Sequence, residues 1–256
     1  MSLATQAPST ARRPALFSFA SPPRFYRLAA ILVPWLAGLA AIAGIAGVVV
    51  GFLVAPTDAQ QGDAYRIIYV HVPAAWMSML LYVAMALWAA VGLVYNTRVS
   101  AAMAGALAPT GALFTFLALW TGALWGKPTW GTWWVWDARL TSELILLFLY
   151  IGFMALHASF EDVRRADRAA AILAIVGLVN VPIIYFSVRW WNTLHQGASI
   201  RLTEAPSMAA PMLVGLLLMT VSFWAYAAAV TLQRARSIVL ERERGADWAR
   251  SVVEEA

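Results

Sequence analysis

No cysteine occurs anywhere in the 256-residue chain. That absence excludes disulfides, thiolate nucleophiles, iron–sulfur clusters and thiolate zinc sites, so any redox chemistry has to come from a bound group. Charge is scarce too. Asp, Glu, Lys and Arg make up 12% of the residues, about half the share of a soluble domain. Lysine is nearly missing, with Lys127 alone beside seventeen arginines, and histidine is limited to His71, His157 and His195. So little charge excludes an ordinary water-soluble globule. The other side of the deficit is a 62% hydrophobic content that falls in long runs, and a helix needs about 20 mostly apolar residues to cross ~30 Å of hydrocarbon.

These runs predict an all-α, polytopic membrane protein with six transmembrane helices, over Leu28–Val54, Ala74–Tyr95, Ala101–Trp125, Leu140–Leu156, Ala169–Val188 and Met208–Leu232. Polar breaks separate them, among them TDAQQGDAYR at 57–66, NTR at 96–98 and FEDVRRADR at 160–168. The domain organisation is then a tail (1–27), a six-helix domain (28–232) and a second tail (233–256). Residues 1–27 carry Arg12, Arg13, Arg24 and Arg27 without an acid. A transit peptide has that composition, but Arg24 and Arg27 sit directly before the first span, which favours a cytoplasmic tail. With the N-terminus inside, the inner segments hold 13 basic residues and the outer ones 5. The positive-inside rule therefore places both termini in the cytoplasm. The segments 55–73, 126–139 and 189–207 then share the outer face and contain His71, the tryptophan segment and His195. His157 lies at the opposite surface, ~30 Å away. Gly47 and Gly51 form a GxxxG step suited to close helix packing, and the tail after Gln233 reads as a solvated or surface-lying helix.

The stretch TWGTWWVWD, residues 129–137, holds Trp130, Trp133, Trp134 and Trp136. Membrane tryptophans ordinarily form a belt at the headgroups, which accounts by position for Trp35, Trp88, Trp120, Trp125 and Trp224. The belt does not account for four indoles on one connection stiffened by Pro128 and opened by Gly126 and Gly131. Rigid aromatic faces beside a membrane suit something flat and apolar. His71 and His195, on outer loops either side of this shelf, admit three readings: axial ligands closing on a haem iron from opposite sides, structural polar residues, or ligands of another metal or aromatic molecule. The outer-face cations Arg66, Lys127, Arg139, Arg189 and Arg201 are either propionate partners or solvated loop charges. Asp137 can cap the fourth helix. Arg139 and Glu143, four residues apart, can pair on it. Glu143, an ionisable group inside the headgroup boundary, is a functional candidate in its own right.

The segment WGKPTWGTWWVWDARLTSELILLFLY, Trp125–Tyr150, resembles the WWD signature of the haem-handling family used in cytochrome c maturation, and within it the CcmC branch. YVHVPAAWMS (Tyr69–Ser78) and RWWNTLHQGASI (Arg189–Ile200) resemble that branch's two histidine-bearing segments, and SPPRFYRLA near the N-terminus also fits. The likeness covers roughly residues 21–232. The larger WWD relatives, CcmF and the CcsA type, carry more spans. The resemblance implies a bacterial inner-membrane protein with a periplasmic site for haem b (iron protoporphyrin IX). His71 and His195 are then the axial metal ligands, and Trp125, Trp130, Trp133, Trp134, Trp136, Asp137 and Arg139 the surrounding haem-binding set. It further implies delivery of haem to the chaperone CcmE, beside the ABC-type subunits CcmA and CcmB and the small protein CcmD.

Handover shapes the expected site. Haem fully enclosed at ~0.3 kcal/mol per atom reaches ~12 kcal/mol, which suits storage. Delivery needs a shallow, open site in which each aromatic contact adds only ~0.5–1.5 kcal/mol beyond burial. Two other classes compete. A permease-like structural subunit of an ABC-type transporter complex predicts polar groups lining a path at midplane depth, for which Asn180, Asn192, Thr115 and Glu143 are the candidates. An enzyme joining haem to an apocytochrome predicts an acid–base or nucleophile constellation, and the chain shows none.

Overall fold

The computed structural model describes residues 21–191, 193–195 and 207–254. The N-terminal arginines Arg12 and Arg13, and Asn192 and Arg201, lie outside the described residues. Among the described residues the chain is helical without a strand: α1 (Pro22–Val48), α2 (Ile68–Tyr95), α3 (Arg98–Trp130), α4 (Ala138–Ala158), α5 (Val163–Gly177), α6 (Asn180–Trp190), α7 (Ala210–Arg242) and the short α8 (Asp247–Glu254). A π-helical turn, Val49–Val54, continues α1, and a 3-10 turn, Asp63–Ile67, leads into α2. With α5 and α6 stacked as one broken span, six helical segments are long and apolar enough to cross a membrane.

Helix ends differ from the sequence expectation at several places, two of them beside prolines. The second span was expected to begin after Pro73, yet α2 already includes Pro73 and His71. The third was expected to end at Trp125, yet α3 runs through Pro128 to Trp130. Membrane helices accommodate proline when neighbouring groups take up the freed backbone atoms. The actual stop of α3 is Gly131, whose φ of 78° lies in the left-handed region and whose N–H donates to the Lys127 carbonyl, a glycine helix cap. Only 131–137 of the connection expected over 126–139 is therefore non-helical. The last long helix likewise continues beyond Leu232 to Arg242. The fifth span, expected to be continuous, breaks at 178–179. Asn180 there donates from its side-chain amide to the Ser142 carbonyl at 2.9 Å.

Two helix pairs build the bundle. Helix α1 lies along α7, where backbones approach so closely that a Cβ on Gly215 would stand 3.1 Å from Gly51 Cα, and one on Gly51 would meet the Tyr69 ring at 2.8 Å. The GxxxG step thus packs α1, as its sequence suggested. Helices α2 and α3 form the central pair. Their core, around Tyr82, Met85, Leu107 and Phe114, extends to Leu146 and Tyr150 of α4, and the Tyr150 hydroxyl donates to the Ser78 carbonyl at 2.8 Å. Trp35, Trp120 and Trp224 are exposed on the bundle surface, as belt residues are.

At the end of the bundle that holds the α4–α5 turn, Arg242 of α7 grips Asp167 of α5 through two 2.9 Å contacts, and Asp167 also meets His157 Nε2 of α4 at 2.9 Å. Arg98 at the start of α3 pairs with Glu243 just after α7. His157 is thereby occupied in clamping three helices, far from the other two histidines.

Candidate functional site

At the opposite end of the bundle the beginnings of α2 and α4, the end of α3 and residues 193–195 converge on a cleft with about 490 Å³ of empty space, part of it open to solvent. The enclosed part is only about 40 Å³, well below the ~300–1,000 Å³ of a closed small-molecule site, so a large ligand reaches it from the open side. Ala75, Ala118, Leu119, Gly122 and Leu140 supply its apolar floor.

His71 projects into the cleft from the first turn of α2, and His195 from the segment after α6. Their ring centroids are 6.2 Å apart at an interplanar angle of 34°. The two are mounted differently. His71 Nδ1 lies 3.0 Å from the Thr121 hydroxyl of α3. His195 donates its backbone N–H to Thr193 Oγ1 at 3.1 Å, and the Thr193 hydroxyl in turn donates to Asp137 Oδ2. The other carboxylate oxygen of Asp137 accepts the Leu140 N–H at 2.8 Å, the side-chain cap of α4 that the sequence suggested. One carboxylate thus starts α4 and anchors the segment bearing His195.

The indole wall comes from α3. Trp125 and Trp130 both line the cleft and meet edge to face, with centroids 5.1 Å apart at 81°. This T-shaped arrangement is favoured by the ring quadrupoles. Trp125 is held from the far side by its Nε1–H, which donates to Gln61 Oε1 at 2.9 Å. Trp133, Trp134, Trp136 and Asp137 lie outside the cleft lining, in the connection between Trp130 and Arg139. There Trp133 and Trp136 are 54% and 78% exposed, while the partly buried Trp134 packs edge to face on Trp136.

Of the described outer-face cations, only Arg139 lines the cleft. Its Nη1 donates to the Ile184 carbonyl of α6 at 3.0 Å. Arg139 and Glu143, which could have paired on α4, form no ion pair. Glu143 is buried in the cleft wall with Oε1 lacking a hydrogen-bond partner. Arg66 is used elsewhere: it donates to the Gly51 carbonyl at 2.6 Å and pairs with Asp63 at 2.9 Å, closing the π-helical turn after α1. Lys127 donates to the Gly131 carbonyl and stands over the Trp133 ring. Arg189 is exposed at the end of α6.

Sequence reasoning thus placed His71, His195, Trp125, Trp130 and Arg139, which the structure brings together. It missed Gln61, Thr121, Gly122 and Thr193. Each of these acts through a contact between distant parts of the chain, and no local spacing marks it.

Fold and cleft together define a polytopic helical membrane protein with a histidine- and tryptophan-lined cleft at one end of its bundle. Comparison with known proteins narrows that class. The family described as "Heme exporter protein C" matches residues 15–250, and the chain belongs to this family. It is 49% identical to the "Heme exporter protein C" of Escherichia coli (strain K12) over 243 residues, which cover 93% of this chain and 96% of that protein. It is 39% identical to the protein of the same name in Paracoccus denitrificans over 236 residues, covering 92% and 98%. A Marchantia polymorpha protein, "Putative cytochrome c biosynthesis ccmC-like mitochondrial protein", is 45% identical over 215 residues, covering 84% and 90%.

Proposed function

We propose that this chain is a haem carrier of cytochrome c maturation, which holds haem b at the periplasmic face of the inner membrane and passes it to the haem chaperone CcmE. The observation that carries the reading is the facing pair of imidazoles over an indole wall. A metal bonded at about 2 Å by both imidazoles spaces their ring centres roughly 6 Å apart, and the observed separation is 6.2 Å. A planar, apolar group suits the space between them: Trp125 and Trp130, at 81° to each other, set one indole face and one indole edge beside it, and Ala75, Ala118 and Gly122 add small apolar lining. Arg139 is the cation placed to meet a propionate. Trp133 and Trp136, exposed beside the cleft, extend the ledge and leave one edge of the ligand accessible to a receiving protein.

Family membership supports the assignment to cytochrome c maturation, with CcmA, CcmB and CcmD as the other partners. The excess of arginine at the opposite end of the bundle supports a periplasmic site and cytoplasmic termini. The role in this reading is delivery rather than chemistry: among the described residues, Glu143 is the acid lining the cleft, and no nucleophile paired with a base lines it. Two of the polar groups a conducting path would need are spent locally: Thr115 donates to the Gly111 carbonyl and Asn180 to that of Ser142.

The test is haem stoichiometry in the purified, detergent-solubilised chain, followed by transfer to the purified chaperone. The double variant His71→Ala/His195→Ala is expected to lose the Soret band and to transfer nothing. A normal Soret band and full stoichiometry in that variant overturn the assignment.

A further inference from the structure

We infer that Thr121 is a positioning residue, whose hydroxyl fixes His71 as the Nδ1–H tautomer and leaves the Nε2 lone pair for the ligand in the cleft. The inference rests on the reading of His71 as a metal ligand and names the group that prepares it.

Thr121 Oγ1 lies 2.5 Å from the Leu117 carbonyl oxygen and 3.3 Å from that of Ala118. A carbonyl can only accept, and a hydroxyl has one proton to give. That proton is committed to Leu117, so the Thr121 oxygen presents a lone pair at 3.0 Å to His71 Nδ1. Nδ1 must then carry hydrogen, because two lone pairs would otherwise face each other. In a neutral imidazole the remaining nitrogen is the acceptor. Metal-bound histidines are set in this way by a second group that takes the other ring N–H, which fixes the ring and raises its basicity. The neighbouring residue leaves room for the ring: a Cβ on Gly122 would stand 3.2 Å from His71 Cε1. Thr121 and Gly122 belong to α3 and His71 to α2, so the tautomer is set across the central helix pair.

The experiment uses the full-length, haem-loaded chain in detergent with four variants: Thr121→Val, Thr121→Ser, His71→Ala and the double variant Thr121→Val/His71→Ala. Valine keeps the branched shape and removes the acceptor. Haem loss to excess apomyoglobin is expected to accelerate about 10–100-fold in Thr121→Val, with a shifted low-spin ferric spectrum. Serine is expected to restore both the rate and the spectrum. In the His71→Ala background, Thr121→Val is expected to add nothing. Thermal unfolding of each variant separates this from a general loss of fold, which serine rescue and the His71 background would not mirror. Haem loss at the parent rate in Thr121→Val, or effects of Thr121→Val and His71→Ala that multiply, overturn the inference. The His71→Ala arm reports separately on the ligand reading: if that variant alone retains haem like the parent, His71 is not a ligand and the inference fails with it.

Discussion

Single residues in this site carry more than one duty, and Asp137 shows it most clearly. One oxygen caps α4 through Leu140, while the other receives the Thr193 hydroxyl that holds the backbone of His195. The two duties are separable by substitution. Asp137→Asn keeps one oxygen for the cap and replaces the other acceptor by an amide NH2, which cannot accept from Thr193. Asp137→Ala removes both. We expect Asp137→Asn to unfold near the parent temperature yet lose haem faster. We expect Asp137→Ala to lose haem faster and also about 0.5–2 kcal/mol of stability, read by thermal unfolding and haem-loss kinetics in detergent. Equal haem retention in all three proteins would separate Asp137 from His195. At this scale the sequence was partly legible. His71 and His195 stood out because histidine is rare in the chain, and Asp137 because it precedes an apolar run. Thr121, Thr193 and Gln61 did not stand out, since a threonine or glutamine gains its role only from the partner that folding brings to it, 50 to 64 positions away in the contacts to His71 and Trp125.

At the level of elements, the six spans were readable because hydrocarbon thickness imposes a minimum apolar length that no soluble helix needs. Their ends were less legible: Pro73 and Pro128 sit inside α2 and α3, and α7 runs past Leu232 to Arg242. The consequence bears on function. His71, Trp125 and Trp130 belong to rigid helices instead of mobile loops, and a site built on helices holds its geometry more tightly. Only His195 comes from a connecting segment. The proposed clasp therefore has one jaw on α2 and a second hung from the Asp137–Thr193 pair. The break between α5 and α6 was not read from the sequence because 169–188 is apolar enough throughout to pass as one span, and Asn180 was weighed only as a polar group of a path. Its amide in fact bridges to α4 at Ser142.

For the whole molecule, polarity is the organising feature. Arginines gather at the end clamped by His157, Asp167 and Arg242, and the cleft opens at the other. The orientation that this implies is directly testable because the chain has no cysteine. A single cysteine at Lys127→Cys, near the cleft end, is expected to react with a membrane-impermeant maleimide in intact spheroplasts. One at Glu161→Cys, at the clamped end, is expected to react only after lysis. The reverse pattern would place the cleft in the cytoplasm and remove the basis for delivery to a periplasmic chaperone.

The central claim is that His71 and His195 together hold one iron. Low-temperature electron paramagnetic resonance of the purified chain loaded with ferric haem tests it most directly, with His71→Ala and His195→Ala measured alongside. The account expects the low-spin signal of two axial nitrogens in the parent and its conversion to high-spin in each single variant. A parent-like low-spin signal persisting in either variant would contradict it.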